Sequence, residues 1–180
     1  LVEAAPLPRA ALYEIVRVGH RRLLGEVIRV RGETATVQVF EDTTGLALEE
    51  PVEGTGAPLQ AELGPGLLGS VLDGTGRPLS RLADREGNFL STGTVAPTLD
   101  RSRRWVFTPS ARAGDKLAAG DELGSVEENE GVIHRILVPP ASGGVLAELA
   151  AGTYAVDEPI GRLEDGTVLT LMQRWPVRVP

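Results

Sequence analysis

The stretch LLGEVIRVRGETATVQVF, residues 23–40, decides the fold of the first part of the chain. It predicts two β-strands, residues 24–31 and 34–40, joined by a turn at Gly32-Glu33. In the second strand, alanine and valine alternate with threonine and glutamine, so every other side chain points to the same face of a sheet. The stretch is therefore predicted to be a β-hairpin with one buried face.

The segments around this hairpin continue the same pattern. Residues 12–18 predict a preceding strand, and the alternation of Leu59, Ala61 and Leu63 predicts a later one. Several short antiparallel strands in close succession favour a small barrel, in which the strands satisfy one another's backbone groups. We expect such a barrel over residues 1–63.

Glycine and proline interrupt the chain too often for helices of ordinary length. There are 22 glycines and 13 prolines in 180 residues, spread along the whole chain. They are dense in residues 64–92, which are predicted to be a connector without a long helix. The expected fold class is therefore mainly β.

The second half contains an internal repeat. Residues 114–128, GDKLAAGDELGSVEE, are echoed by residues 152–166, GTYAVDEPIGRLEDG, with Gly124 matching Gly161. This spacing of glycines and aliphatic residues is typical of flattened barrels of the biotinyl/lipoyl type, or barrel-sandwich hybrids. The predicted order is a barrel at 1–63, a connector at 64–92, a barrel-sandwich hybrid at 93–163 and a return segment at 164–180.

The composition disfavours several classes of function. Lys116 is the only lysine, so the chain lacks the lysine that reaches the phosphates of ATP in a P-loop. It has no cysteine, which excludes disulfides, thiolate nucleophiles and zinc-thiolate sites. A net charge of −7 disfavours nucleic-acid binding. No apolar run approaches the ~20 residues that span a bilayer, and no secretory signal is visible, so a cytoplasmic location is expected.

Two motifs have a functional interpretation that their context disfavours. GPGLLG, residues 64–69, matches the dinucleotide-binding pattern G-x-G-x-x-G, with Glu86 at a suitable distance. The turn at Asp73-Gly74 leaves no room for the helix that would bind the pyrophosphate, so a structural turn is favoured. The second motif is a basic cluster, in which an aromatic ring that could stack on a nucleic-acid base lies beside three arginines: Arg101, Arg103, Arg104 and Trp105. A solvated strand edge is the favoured interpretation of this cluster.

The histidines and the acidic group do not predict a site. His20 and His134 are far apart in sequence, and His134 is interpreted as a strand residue facing solvent or a neighbouring loop. Glu127, Glu128 and Glu130 could bind a cation, but a solvated hairpin turn is preferred. We therefore predict no catalytic, cofactor-binding or metal-ligating residue in this chain.

An independent carrier or ligand-binding β-domain is the alternative function. The second half has the hairpins of a biotinyl or lipoyl carrier, which needs a lysine at the tip between its two repeats. Residues 127–131 and 139–144 fill that region and contain no lysine, while Lys116 lies inside the first repeat. A carrier function is therefore disfavoured.

Several long runs of this sequence follow one another in a recognisable order: LYEIVRVG (12–19), the segment 23–46, LQAELGPGLLGSVLDGTGRPL (59–79), HRILVPPASGGVL (134–146), EDGTVL (164–169) and RWPVR (174–178). Together they resemble one family, the catalytic A subunits of V/A-type (vacuolar/archaeal-type) rotary ATPases. In that family they belong to an amino-terminal β-barrel and to the bulge, or non-homologous, region that follows it. The insertion at 93–163 resembles this bulge and makes the resemblance specific to the A subunit.

The resemblance implies a mechanical role for this chain. The intact protein of that family couples ATP hydrolysis or synthesis to proton or sodium translocation, and ATP and magnesium bind in a domain that follows residue 180. The barrel is expected to contact B subunits of the hexameric ring, and the bulge to meet stator components. The head is cytoplasmic and peripheral to the membrane. The chain itself is expected to be a structural, non-catalytic part.

Three departures from the family pattern carry expectations of their own. Thr75-Gly76 replaces Ile-Gln, which predicts a more flexible connector. The turn at 127–131 is atypical. The first barrel strand is shortened, because residues 1–4 align with residues that normally follow it, and this predicts an unpaired edge.

Overall fold

The computed structural model describes residues 1–87, 91–140 and 142–178. Parts of the predicted connector (88–90), of the predicted barrel-sandwich hybrid (141) and of the predicted return segment (179–180) lie outside the described residues. Within the described part there are fifteen strands and one helix, so the mainly β fold class is confirmed.

The elements follow one another at short intervals. In chain order they are β1 (Val2–Ala4), β2 (Glu14–Val18), β3 (Leu23–Arg31), β4 (Thr34–Val39), β5 (Val52–Pro58), β6 (Gln60–Leu63), α1 (Leu79–Glu86), β7 (Trp105–Pro109), β8 (Lys116–Leu117), β9 (Glu122–Asn129), β10 (Val132–Leu137), β11 (Gly144–Leu149), β12 (Gly152–Tyr154), β13 (Pro159–Leu163), β14 (Val168–Thr170) and β15 (Gln173–Pro176). β6 and β15 form a two-stranded sheet.

The chain divides into two compact units whose limits differ from the predicted ones. The first unit comprises Leu1–Ala61, Leu72–Ala96 and Trp175–Pro180, and the second comprises Glu62–Val71 and Pro97–Arg174. Most of the predicted connector thus belongs to the first unit. Gly93, the residue that follows it, also belongs there, and its amide donates a 2.6 Å hydrogen bond to Glu41. The second unit continues past residue 163 because β14 pairs with β13.

The first unit is built on a five-stranded antiparallel sheet with the order β1-β4-β3-β2-β5. The predicted hairpin is present as β3 and β4, and Gly32 makes its turn with a φ of 60°. Ala35 and Val37 are fully buried, as the alternation predicted, and they pack with Val16 and Val27 in the core of this unit. One buried face therefore organises the sheet.

Two features of this sheet were not predicted. β5 pairs with β2 although it contains Gly54 and Gly56, which lower the β propensity of the segment. β1 pairs with β4 at three positions, from Val2 opposite Val37 to Ala4 opposite Ala35. Residues 2–4 are thus the strand at one end of the sheet order, and the expectation of an unpaired edge there stays a prediction.

The helix α1 lies in the first unit and is short, as the density of glycine and proline predicted. Its first hydrogen bond runs from the Leu82 amide to the Pro78 carbonyl, and no side chain caps its start. It ends at Gly87, whose φ of 69° turns the chain out of the helix and whose amide donates to Ala83. The buried Leu82 anchors it.

The second unit consists of two four-stranded antiparallel sheets. Their orders are β10-β9-β7-β12 and β14-β13-β11-β8. The strands β7–β10 and β11–β14 thus form two equivalent halves, each of which contributes its second strand, β8 or β12, to the sheet of the other half. This confirms the predicted internal repeat and the barrel-sandwich architecture.

The repeat extends to side chains that stabilise turns. The Asp121 carboxylate accepts a 2.7 Å hydrogen bond from the Ala118 amide, and the Glu158 carboxylate accepts a 2.8 Å bond from the Ala155 amide. Both carboxylates lie three residues after the amide that they bind. Each half therefore closes the turn before its third strand in the same way.

The matched glycines of the repeat permit close contact between strands. A Cβ atom at Gly124 would collide with the Thr108 carbonyl oxygen and lie 2.7 Å from the Phe107 ring, and one at Gly161 would collide with the Glu148 carbonyl oxygen. Neither glycine has a positive φ. Their role is therefore steric, because they leave room for the neighbouring strand.

We predict that Gly124→Ala destabilises the second unit by about 1–3 kcal/mol, because the added methyl group overpacks the core beside Phe107. Gly74→Ala is the control, since Gly74 is exposed, has no positive φ and has no atom within 4 Å of its Cβ position. Urea unfolding measures both effects. Equal midpoints for the two variants would contradict the steric role of Gly124.

Candidate functional site

The glycine-rich loop at residues 64–69 encloses a carboxylate of its own unit. Glu128 Oε1 accepts hydrogen bonds of 2.7 Å from the Gly66 amide and 3.2 Å from the Leu68 amide. Its Oε2 lies 2.9 Å from Nδ1 of His134. The loop thus binds an anion through backbone amides, but that anion is an internal glutamate.

The hydrogen bonds keep this carboxylate ionised. Burial of Glu128 by itself raises its pKa, but the bonds from Gly66, His134 and Leu68 outweigh burial and lower the pKa below its usual value. The side chain is only 1% exposed. A buried negative charge with three hydrogen-bonding partners holds the loop against the sheet.

The prediction of a solvated hairpin turn is right for Glu130, is right only in solvent exposure for Glu127 of β9, and is wrong for Glu128. Glu127 and Glu130 are exposed, whereas Glu128 is 3% exposed. Glu128 follows the core residue Val126 by two positions on β9, so both side chains lie on the buried face of the strand. This alternation was the signal that could have identified Glu128 from sequence.

The histidines do not form a metal site. His134 lies on β10, as predicted, and its side chain is 28% exposed and contacts Glu128. His20 belongs to the first unit and its side chain is exposed. Among residues 1–87, 91–140 and 142–178, no group of three or more His, Cys, Asp or Glu side chains could hold a metal ion.

The basic cluster is occupied by contacts within its own unit. Trp105 is 4% exposed, and the Arg103 guanidinium lies 3.8 Å from the centroid of its ring, so a nucleic-acid base cannot stack there. The expected solvated strand edge is therefore wrong for Trp105, which is buried on the interior strand β7, whereas Arg103 and Arg104 are exposed as expected. The other two arginines form ion pairs: Arg101 with Glu62 at 2.6 Å and Arg104 with Glu158 at 2.9 Å.

In the first unit, Asp73 organises the turn DGTGRP. Its carboxylate accepts hydrogen bonds of 2.9 Å from the Thr75 and Arg77 amides and pairs with Nε of Arg77 at 2.7 Å. Burial alone would raise the pKa of Asp73, but these bonds lower it to about 2. Nη1 of Arg77 also donates 3.0 Å to the Thr94 carbonyl. Thr75-Gly76 therefore lies in an anchored turn, contrary to the flexible connector that was expected.

The structure also gives the position of the single lysine and the lengths of the helices in its described part. Lys116 is exposed on β8, where it pairs with Val145 of β11, and so lies within a sheet rather than at a tip between the repeats. In the part of the chain that the structure describes, no helix is long and apolar enough to cross a membrane.

The two units correspond to two domains of one protein class, the alpha/beta subunits of ATP synthases. A family model described as the beta-barrel domain of the ATP synthase alpha/beta family matches residues 1–56. A second, described as the ATP synthase alpha/beta subunit barrel-sandwich domain, matches residues 96–178. The two matches together cover most of the chain, and the chain belongs to the ATP synthase alpha/beta family.

Within that family, the chain is similar to the A subunits, or alpha chains, of V-type and A-type enzymes. It is 53% identical over 179 residues to the V-type ATP synthase alpha chain of Anaeromyxobacter dehalogenans (strain 2CP-C), a match that covers 99% of this chain and 31% of that one. It is 46% identical over 178 residues to an A-type ATP synthase A subunit of Methanospirillum hungatei JF-1, covering 99% and 30%. The chain thus spans about a third of the length of the curated relatives that it matches.

We predict that Glu128→Gln lowers the free energy of unfolding of the second unit by about 1–3 kcal/mol at pH 7, because the amides of the loop lose a charged acceptor. The folded-state pKa of Glu128 is lowered, so its contribution is present at neutral pH and is lost as the pH falls below the usual range of glutamate. The difference between parent and variant should therefore shrink in acid.

Urea unfolding at pH 7 and pH 3 measures this effect, and hydrogen exchange of the Gly66 amide reports on the loop directly. Glu127→Gln is the matched control, because the adjacent side chain is exposed. An equal effect of both variants would show that the buried carboxylate does not anchor the loop.

We predict that Asp73→Asn destabilises the first unit by about 2 kcal/mol at neutral pH, since the pKa of Asp73 falls from 3.8 to about 2 on folding. This contribution is fully present above pH 3.8 and disappears as the pH falls towards 2. Thermal unfolding across this range tests it. The control is Asp84→Asn on the exposed side of α1. A difference in stability between the parent chain and Asp73→Asn that persists below pH 2 would contradict the assignment.

Proposed function

We propose that this chain is a non-catalytic β scaffold of the catalytic A subunit of a V/A-type ATP synthase. The observation that carries the proposal is the match along 99% of the chain to a V-type ATP synthase alpha chain, of which it spans 31%. The intact protein would couple ATP hydrolysis or synthesis to proton or sodium translocation. ATP and magnesium would bind outside the 180 residues.

The occupied glycine loop supports a non-catalytic role. In a phosphate-binding loop, backbone amides and a lysine surround the phosphates of the nucleotide. Here the amides of Gly66 and Leu68 bind Glu128, and the single lysine, Lys116, lies on β8. A nucleotide at this loop would have to displace a buried carboxylate and would meet its negative charge.

The two units provide separate surfaces for assembly. In the first unit, Leu48 is 96% exposed in the loop before β5, which suits a contact with a neighbouring B subunit. In the second unit, Val106 of β7 is 68% exposed and Ile133 of β10 is 67% exposed, and this face suits a stator component. We assign ring contacts to the first unit and stator contacts to the second.

The assignment predicts that Leu48→Asp weakens binding of the chain to isolated B subunit by about fivefold or more, because an interface residue that contributes to affinity supplies more than about 1 kcal/mol. Val106→Asp should leave this affinity unchanged, since its side chain belongs to the other unit. Sedimentation of the 180-residue chain mixed with B subunit measures both. Equal weakening by both variants, or no binding by the parent chain, would contradict the proposed ring contact.

Two measurements separate the scaffold from other functions. Calorimetric titration with ATP and magnesium should give no binding in the micromolar range, and such binding would refute the non-catalytic role. The intact mass should show no biotinyl or lipoyl group on Lys116, and an adduct would favour a carrier domain.

A further inference from the structure

A cavity of about 320 Å³ lies in the first unit, beside the sheet. One wall comes from the sheet and includes Ile15 and Arg17 of β2, on the face opposite the core residues Val16 and Val18. The other wall comes from the segment Leu72–Ala96 and includes Arg77 and Thr94. Two guanidinium groups therefore line one small cavity.

The two arginines differ in how their charges are satisfied. Arg77 is held by the Asp73 carboxylate and the Thr94 carbonyl. Among the described residues, no ion pair or hydrogen bond of the Arg17 guanidinium is found. Arg17 is thus a half-buried cation without a bonded acceptor, an arrangement that costs free energy unless an anion satisfies it.

The surroundings add to this cost. Burial lowers the pKa of Arg17, and repulsion from Arg22 and Arg77 lowers it further, while attraction to Glu41 opposes this effect. Glu41 is itself bound by the Gly93 amide at 2.6 Å and the Leu24 amide at 3.4 Å. Its carboxylate is therefore fixed in the wall and does not pair with Arg17.

The remaining lining favours an organic ligand of modest size. Ile15, Leu24 and Leu59 supply apolar surface, and the volume is at the small end of ligand-binding cavities, which begin at about 300 Å³. The fixed negative charge of Glu41 in the wall disfavours a doubly charged group. A singly charged oxyanion attached to an apolar body satisfies both conditions.

We propose that this cavity binds a small organic monocarboxylate whose carboxylate pairs with the guanidinium of Arg17. Guanidinium groups bind carboxylates through two parallel hydrogen bonds, which suits the uncommitted donors of Arg17. Phosphate shares the oxyanion chemistry but carries more charge and no apolar body. It should bind more weakly.

The test is a titration of the isotope-labelled 180-residue chain with benzoate and, separately, with inorganic phosphate, followed by NMR. Benzoate should shift the amides of Arg17, Leu24 and Leu59 and the Nε–H of Arg17, at lower concentrations than phosphate. Equal or stronger binding of phosphate would refute the preference for a carboxylate with an apolar body. Shifts spread over the surface, or no shifts at tens of millimolar benzoate, would refute the site.

Arg17→Gln should weaken benzoate binding by about tenfold or more, the effect of losing a charge-assisted hydrogen-bonded pair. Arg29→Gln removes an exposed arginine of the same sheet and should leave binding unchanged. Without ligand, Arg17→Gln should melt no lower than the parent chain, because it removes an unsatisfied half-buried cation. A clear loss of melting temperature, or equal weakening by both variants, would overturn the proposal.

Discussion

The exchange of one short strand between the halves of the second unit is the constraint on which its architecture depends. β8 pairs with β11 and β12 pairs with β7, so neither sheet is complete without a strand from the other half. The core lies between the two sheets, and Leu123 and Leu163 are both buried in it. Within each sheet, Gly124 and Gly161 leave room for the paired strand, since a Cβ atom at either position would collide with a carbonyl oxygen of that strand.

The local part of this structure was predictable from the sequence. The alternation in residues 34–40 identified β4 and its buried face, and the hairpin followed from Gly32. The repeat predicted two equivalent halves because matching residues occupy matching positions on β9 and β13. These signals succeed since they depend on spacing along one strand or on similarity within the chain.

The features that the sequence did not predict depend on contacts between residues that are far apart in the chain. β5 has weak propensity and exists because it pairs with β2, which lies more than thirty residues earlier. Glu128 was grouped with its exposed neighbours by composition, and its partners Gly66 and Leu68 lie about sixty positions away. Arg17 has no ion-pair partner among the described residues because the neighbouring carboxylate, Glu41, is bound by two backbone amides, one of them from Gly93. The alternation on β9 could have shown that Glu128 is buried, but no local pattern identifies partners so far away in the sequence.

The carboxylate inside the glycine loop also determines how that loop responds to dissolved anions. Glu128 is tethered to its binding amides by the chain, so its effective concentration there greatly exceeds that of a free competitor. Phosphate or a nucleotide in the surrounding solution would have to outcompete an intramolecular ligand. At neutral pH the glycine motif is thus occupied by a side chain of its own chain, which fastens the loop to a strand.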